Sequence, residues 1–176
     1  MLLTSREARK TFHGDRDTVT HYKSKLVSRR NVTVLCDHLR RQKKKIVFTN
    51  GVFDIIHMGH VHYLSKAKAM GDVLIIGLNT DLSVRKIKGP NRPINRQSDR
   101  AGVLSALEFV DYVVYFSEET PEKLIRLIRP NVLVKGADYK LSEIVGAEFV
   151  HSYGGRVCRI KLLPGRSTSD VINRTP

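Results

Sequence analysis

The 176-residue chain has no apolar run near the roughly 18 consecutive residues that a membrane-crossing helix requires. Its first residues also lack the apolar stretch of a secretory signal, so the expected location is the cytoplasm. Cysteine is scarce: Cys36 and Cys158 lie far apart and match no metal or redox spacing. No disulfide is expected, and both thiols are assigned to the core or its edge in reduced form. Two common nucleotide-binding signatures are missing. The chain contains neither GxxxxGK followed by Ser or Thr nor G-x-G-x-x-G, which excludes a P-loop and the dinucleotide fingerprint. Internal repeats and low-complexity tracts are absent as well.

What is present describes a folded domain. Hydrophobic residues make up 41% and charged residues 27%, too apolar for general disorder, and the length suits about one domain with a short appendage. The net charge of +14 is uneven: residues 1–45 hold 13 Lys/Arg against 4 Asp/Glu, and the remainder 18 against 13. A basic body suits an anionic substrate such as a nucleotide or sugar phosphate, and a basic tail suits nucleic acid or an acidic neighbour. The tail has few aromatics for base stacking and no recognised reading motif, so a basic nucleic-acid-binding module ranks as the alternative of another class.

Two segments divide the chain, residues 1–44 and residues 45–176. The first is a basic arm without periodicity to about residue 25, then an amphipathic helix from about Ser28 to Gln42, with Val32, Leu35, Cys36 and Leu39 at helical spacing. Beyond it, continuous apolar runs alternate with helical patterns. IVFTNG, DVLIIGLN, DYVVYF, NVLVKG and GRVCRI read as strands. Helices are expected at about Met58–Met70, Ser98–Leu107, Pro121–Ile128 and, more weakly, Glu143–Ser152. Unbroken apolar strands alternating with helices specify an α/β fold: a Rossmann-like parallel sheet with helices on both faces. Arg85–Gln97, with one Gly and two Pro, breaks the rhythm and reads as a long loop over the active site.

The strongest local signal is TNGVFDIIHMGH, residues 49–60. Gly51 permits a tight turn at the strand end. His57 and His60 stand three apart at a helix start, so both imidazoles face one point, and Gly59 opens the backbone N–H groups to a phosphate. Zinc binding by His57, His60 and His62 lacks a further Cys, Asp or Glu at a recognised spacing, so no metal site is expected. Two histidines satisfied within the fold is the plainer alternative. PGRSTSDVI, residues 164–172, offers Arg166, Ser167 and Thr168 at the start of a last helix; taken alone it is an ordinary helix cap.

Together the two motifs resemble the cytidylyltransferase-like nucleotidyltransferase superfamily, marked by HxGH and a C-terminal Ser/Thr-rich motif. NGVFDIIHMGHVHYLSKAKAMGD, LNTDLSVRKIKGPNRPIN, ALEFVDYVV, TPEKLI and VLVKGADY are similar to the heptose 1-phosphate adenylyltransferases, from about Lys45 to the C-terminus. The resemblance implies transfer of AMP from ATP to D-glycero-β-D-manno-heptose 1-phosphate, giving ADP-heptose and pyrophosphate for lipopolysaccharide or surface-glycan assembly. It also implies a homodimer, Mg²⁺ accompanying ATP, and a kinase step performed by a separate protein. Sister enzymes sharing HxGH, a glycerol-3-phosphate cytidylyltransferase or an FAD-synthesising transferase, stay open as alternatives.

On this reading His57, His60 and Lys88 carry the chemistry, although Lys88 is equally readable as a solvated loop lysine. Thr49, Asn50, Gly51, Phe53 and Gly59 line the phosphates, and Arg166, Ser167 and Thr168 hold the β and γ groups. Lys135, Gly136, Asp138 and Tyr139 frame adenine and ribose, while Asn79, Asp81 and Arg92 meet the sugar phosphate. Asp54 is readable instead as a structural partner of nearby backbone or a cation. Two departures from the family pattern stand out: Ser169 in a run that usually reads Ser-Thr-Thr, and Ala137 where the family has glycine.

Overall fold

The computed structural model describes residues 21–161 and residue 163. A single helical turn, His21–Ser24, leads to helix α1 (Arg29–Arg41), then β1 (Ile46–Gly51), α2 (Met58–Lys68), β2 (Val73–Asn79) and α3 (Asp81–Lys88). There follow α4 (Gln97–Ala106), β3 (Tyr112–Phe116), α5 (Glu122–Ile128), β4 (Val132–Gly136), α6 (Ala147–Ser152) and β5 (Arg156–Ile160). The five strands form one parallel sheet in the order β3-β2-β1-β4-β5. All five expected strands are present within a residue of the apolar runs that predicted them.

Alternation along each strand builds two cores. Ile46 and Phe48 of β1 join Val32, Cys36 and Leu39 of α1, Leu124, Ile125 and Ile128 of α5, and Val150 of α6 on one face. Val47 points the other way, with Leu74, Ile76 and Leu78, to meet Tyr63, Leu64 and Ala67 of α2 and Ala101 and Leu104 of α4. Burial of such side chains is worth about 1.5–3 kcal/mol each. The amphipathic helix α1 therefore completes one of these cores, capped by Ser28, whose side chain accepts from the Asn31 N–H. Both cysteines are free; Cys36 is buried, and burial pushes its thiol up to about 11. Residues 1–20 of the basic arm lie outside the described residues, but its end is ordered: Lys25 and Val27 exchange backbone hydrogen bonds with Val113 at the β3 edge.

Two expectations about helices need correction. The segment read as a loop from Arg85 is helical to Lys88, because Thr80 caps α3 by accepting from the Ser83 N–H and the chain leaves the helix only at Gly89, φ 92°. The loop proper is 89–96. The helix expected from Glu143 starts instead at Ala147, after a 3₁₀ turn at Leu141–Glu143, because Gly146 takes φ 84°. Gly146 also packs so closely that a Cβ there would lie 2.7 Å from Ile125 Cδ1.

The topology sets the place for a ligand. From β1 the chain winds outward through β2 to β3, then crosses back to β4 and β5 on the other side. Parallel sheets bind ligands outside the carboxyl ends of strands where the winding reverses, here between β1 and β4.

Candidate active site

A cleft of ≈ 480 Å³ opens at that switch point, within the usual range for a small-molecule site. Among its lining are Asn50, Gly51, Phe53, His57, Gly59, His60, Asn79, Lys88, Arg92, Lys135, Gly136, Asp138 and Tyr139. Residues singled out on four separate sequence segments thus share one cavity.

The histidines sit where the chain enters α2. His57 is the N-cap residue, with φ −140° and ψ 171°, and its Nδ1 accepts from the Gly59 N–H at 3.1 Å. In the neutral ring the proton then belongs to Nε2. Gly59 N–H is engaged by this cap, so the helix start presents an imidazole where a bare amide was expected. The His60 ring stacks on His57 with centroids 4.0 Å apart and 35° between planes. Burial, followed by the nearby His57 and Lys88 charges, lowers the His60 pKa to about 4. Its Nδ1 is buried without a hydrogen-bond partner. Ile87 and Lys88, at the α3 C-terminus, line the same cleft as the histidine pair.

Phe53 closes the side of His60, ring centroids 5.3 Å apart. It does so from a left-handed backbone, φ 47°, a conformation that costs a non-glycine residue free energy and concentrates at functional sites. The sharp turn after β1 is thus made at Phe53. Gly51 serves it by leaving room: a Cβ there would stand 3.0 Å from Phe53 Cε2.

Across the switch point, Lys135 at the end of β4 donates to Asn50 Oδ1 of β1 at 2.6 Å and lies 5.5 Å from the centre of the Tyr139 ring. Burial lowers its pKa to about 8, and the Asp138 carboxylate opposes that shift. Arg92 reaches Asp54, with Nη2 2.6 Å from Oδ2 in a charge contact lacking hydrogen-bond alignment. The other Asp54 oxygen accepts from the N–H groups of Ile94 and Asn95 at 2.8 and 3.0 Å. Ala137 does not occupy a positive-φ position, so the missing glycine costs nothing in backbone conformation.

Two chosen residues are absent from the lining. Thr49 is fully buried, its hydroxyl 2.8 Å from that of Tyr63. Period-two alternation turns it toward α2, away from the strand-end opening. Asp81 accepts from Arg100 Nη2 at 2.7 Å. Arg166, Ser167 and Thr168 lie outside the described residues. Cleft residues not foreseen include Tyr63, Glu119, Thr120, Glu143 and Val145. Glu119 and Thr120 follow β3 at its carboxyl end, a position that could have marked them. Among the described residues no three His, Cys, Asp or Glu side chains are grouped to hold a metal, and no helix is long and apolar enough to cross a membrane.

Paired imidazoles at a helix start, with cations arriving from α3, the 89–96 loop and β4, line one cleft at the carboxyl edge of a parallel α/β sheet, a donor set able to take a phosphate-rich ligand. That is the general class. The chain belongs to the cytidylyltransferase-like family, whose model matches residues 48–174.

Relatives sharpen the picture. The bifunctional protein HldE of Wolinella succinogenes is 56% identical over 150 residues, 85% of this chain and 31% of that protein. HldE of Syntrophotalea carbinolica is 50% identical over 153 residues, 87% of this chain and 31% of its own length. The chain thus spans about a third of the relatives it matches. Among solved structures, the lipopolysaccharide core biosynthesis protein from Thermoplasma volcanium aligns with TM-score 0.55 and 28% identity, over 68% of this chain and 97% of that one. A pantoate-beta-alanine ligase from Francisella tularensis shares the fold, with TM-score 0.58 at 16% identity over 82% of this chain and 68% of the other.

Proposed function

We propose that this chain transfers AMP from ATP to D-glycero-β-D-manno-heptose 1-phosphate, giving ADP-heptose and pyrophosphate. The observation that carries the reading is the convergence of the HxGH histidines, Lys88, Arg92 and the KGADY segment in one switch-point cleft. The similarity to a lipopolysaccharide core biosynthesis protein supports a biosynthetic role of that kind.

The reaction needs no enzyme nucleophile. A phosphate oxygen of the sugar 1-phosphate, already ionised at neutral pH, attacks the α-phosphorus in line. The bond from that phosphorus to the bridging oxygen breaks, and pyrophosphate leaves with the electron pair. The protein's work is to hold the two anions in line and to balance charge building on the α-phosphate and leaving group. His57, through Nε2–H, and His60 serve the triphosphate, with Lys88 beside them. The backbone at Asn50, Gly51 and Phe53 flanks the α-phosphate, while Arg166, Ser167 and Thr168 take the β and γ phosphates. Lys135, Gly136, Asp138 and Tyr139 frame adenine and ribose. With Asp81 paired to Arg100, sugar phosphate contacts fall to Asn79 and Arg92.

Among the described residues the cleft carboxylates Asp54, Glu119, Asp138 and Glu143 do not make a three-ligand group, a donor set suited to Mg²⁺ brought in on the triphosphate and held mostly by phosphate oxygens and water. When bound, that ion neutralises phosphate charge. A homodimer, a cytoplasmic location and a kinase activity supplying the sugar 1-phosphate from outside this cleft complete the proposal.

The test is pyrophosphate release from purified protein given ATP or CTP with a panel of phosphorylated acceptors. Turnover with ATP and heptose 1-phosphate is expected. Activity confined to CTP with glycerol 3-phosphate, or to ATP with flavin mononucleotide, would move the chain to a sister activity. Tight oligonucleotide binding at physiological salt without any transferase activity would overturn the enzyme reading.

A further inference from the structure

Arg100, on α4, is only 2% exposed, heads the fully buried side chains by volume, and does not line the cleft. Burying a guanidinium is costly unless its charge and its donors are all matched. Here they are. Nε donates to Asn95 O at 3.0 Å, Nη1 to Val52 O at 2.6 Å, and Nη2 to Asn79 O at 2.9 Å and Asp81 Oδ1 at 2.7 Å. Those acceptors belong to the turn after β1, the end of β2, the start of α3 and the 89–96 loop. Packing of α4 on the sheet would be served by an apolar side chain, as at Ala101 and Leu104. A fork of donors joining four segments at the cleft wall does something else.

We propose that Arg100 is a positioning residue for the acceptor side of the cleft. It pins the 89–96 loop, and with it Arg92, against the ends of β1 and β2, so that the cation is already in place when the acceptor's phosphate arrives. Asp54 fastens the other side of the same loop through the Ile94 and Asn95 N–H groups, and the Asn95 side chain donates back to Asp54 O at 2.6 Å. The loop is therefore a preformed wall and not a lid that must close. The ligand class it serves is a sugar phosphate or another phosphomonoester. That part rests on the proposed transferase function; the clamp itself does not.

The experiment uses the full chain carrying Arg100→Lys, which keeps the charge but cannot reach all four acceptors. Two quantities are read: KM for heptose 1-phosphate against Kd for a non-hydrolysable ATP analogue, and amide hydrogen exchange across residues 89–96. Losing a charge-assisted hydrogen bond from the clamp is expected to raise the acceptor KM about tenfold or more, with the analogue Kd changed less than about twofold and loop exchange accelerated. An unchanged acceptor KM, or an equal loss of analogue affinity, would overturn the positioning role. If the wild type turns over no phosphorylated acceptor, the functional reading fails, and loop exchange still decides the clamp: unchanged exchange in folded Arg100→Lys refutes it. Should Arg100→Lys not fold, Asp81→Asn, which preserves shape and removes the paired charge, carries the same readouts with a smaller expected rise of a few fold; no rise there overturns the proposal equally.

Discussion

Acid is the perturbation that reads the histidine pair most directly. Burial strips water from a protonated His60, and His57 and the Lys88 ammonium resist a further positive charge, so its pKa falls from 6.5 to about 4. Above pH 6.5 the ring is neutral in folded and unfolded chains alike, and no stability depends on it. As pH falls from 6.5 toward 4 the unfolded chain takes up a proton that the folded chain refuses, so the folded state loses stability. With those two pKa values the loss is on the order of 2 kcal/mol at about pH 5 and about 3 kcal/mol at about pH 4. Urea unfolding of wild type and His60→Asn at about pH 7.5 and pH 5 measures it, since asparagine stays neutral throughout. The wild type should lose roughly 2 kcal/mol more than the variant. The His60 ring resonances in the folded protein should stay unshifted down to about pH 5. Equal acid sensitivity in the two proteins, or a His60 titration near its ordinary 6.5, would refute the reasoning.

Other predictions touch different parts of the molecule. His57→Ala and His60→Ala should each lower turnover about a hundredfold, or about 3 kcal/mol of transition-state stabilisation, with native circular dichroism; normal turnover in either removes that ring from the chemistry. Lys135 has a lowered pKa of about 8, so its charge is present below that pH and lost above it. The kcat/KM for ATP should accordingly fall on the alkaline side of about pH 8 in wild type and lose that limb in Lys135→Met; a wild-type profile flat to about pH 9.5 contradicts the assignment. Gly146→Ala should destabilise the fold by about 1–3 kcal/mol in urea unfolding, because it combines φ 84° with a Cβ 2.7 Å from Ile125 Cδ1.

The strands were legible because parallel strands buried on both faces leave continuous apolar runs, and VLIIGLN is buried at every position. Helix α3 was not. DLSVRKIK is short, and the Gly and Pro that follow it pull the reading toward a loop; the Thr80 cap was the signal that could have separated the two. Gly146 truncates the helix expected from Glu143 for a reason visible only in space, its packing on Ile125. Within the site, spacing alone brought His57 and His60 together, because three residues at a helix start stack two rings. The Lys135–Asn50 contact depends instead on β1 and β4 being neighbours across a long stretch of intervening chain. Arg100 gave no sequence signal, since nothing local distinguishes it from an exposed helical arginine. Thr49 and Asp81 each have a partner within the protein, Tyr63 and Arg100, which the sequence did not show because strand-end polarity says that a group needs a partner, not which partner it finds.

The most direct test is a crystal structure of the protein soaked with a non-hydrolysable ATP analogue and heptose 1-phosphate. The triphosphate should lie across the start of α2, with phosphate oxygens about 3 Å from His57 Nε2 and from the His60 ring, and the sugar phosphate should sit in line with the α-phosphorus beside Arg92. A triphosphate bound elsewhere, with both imidazoles pointing away from it, would contradict the account at its centre.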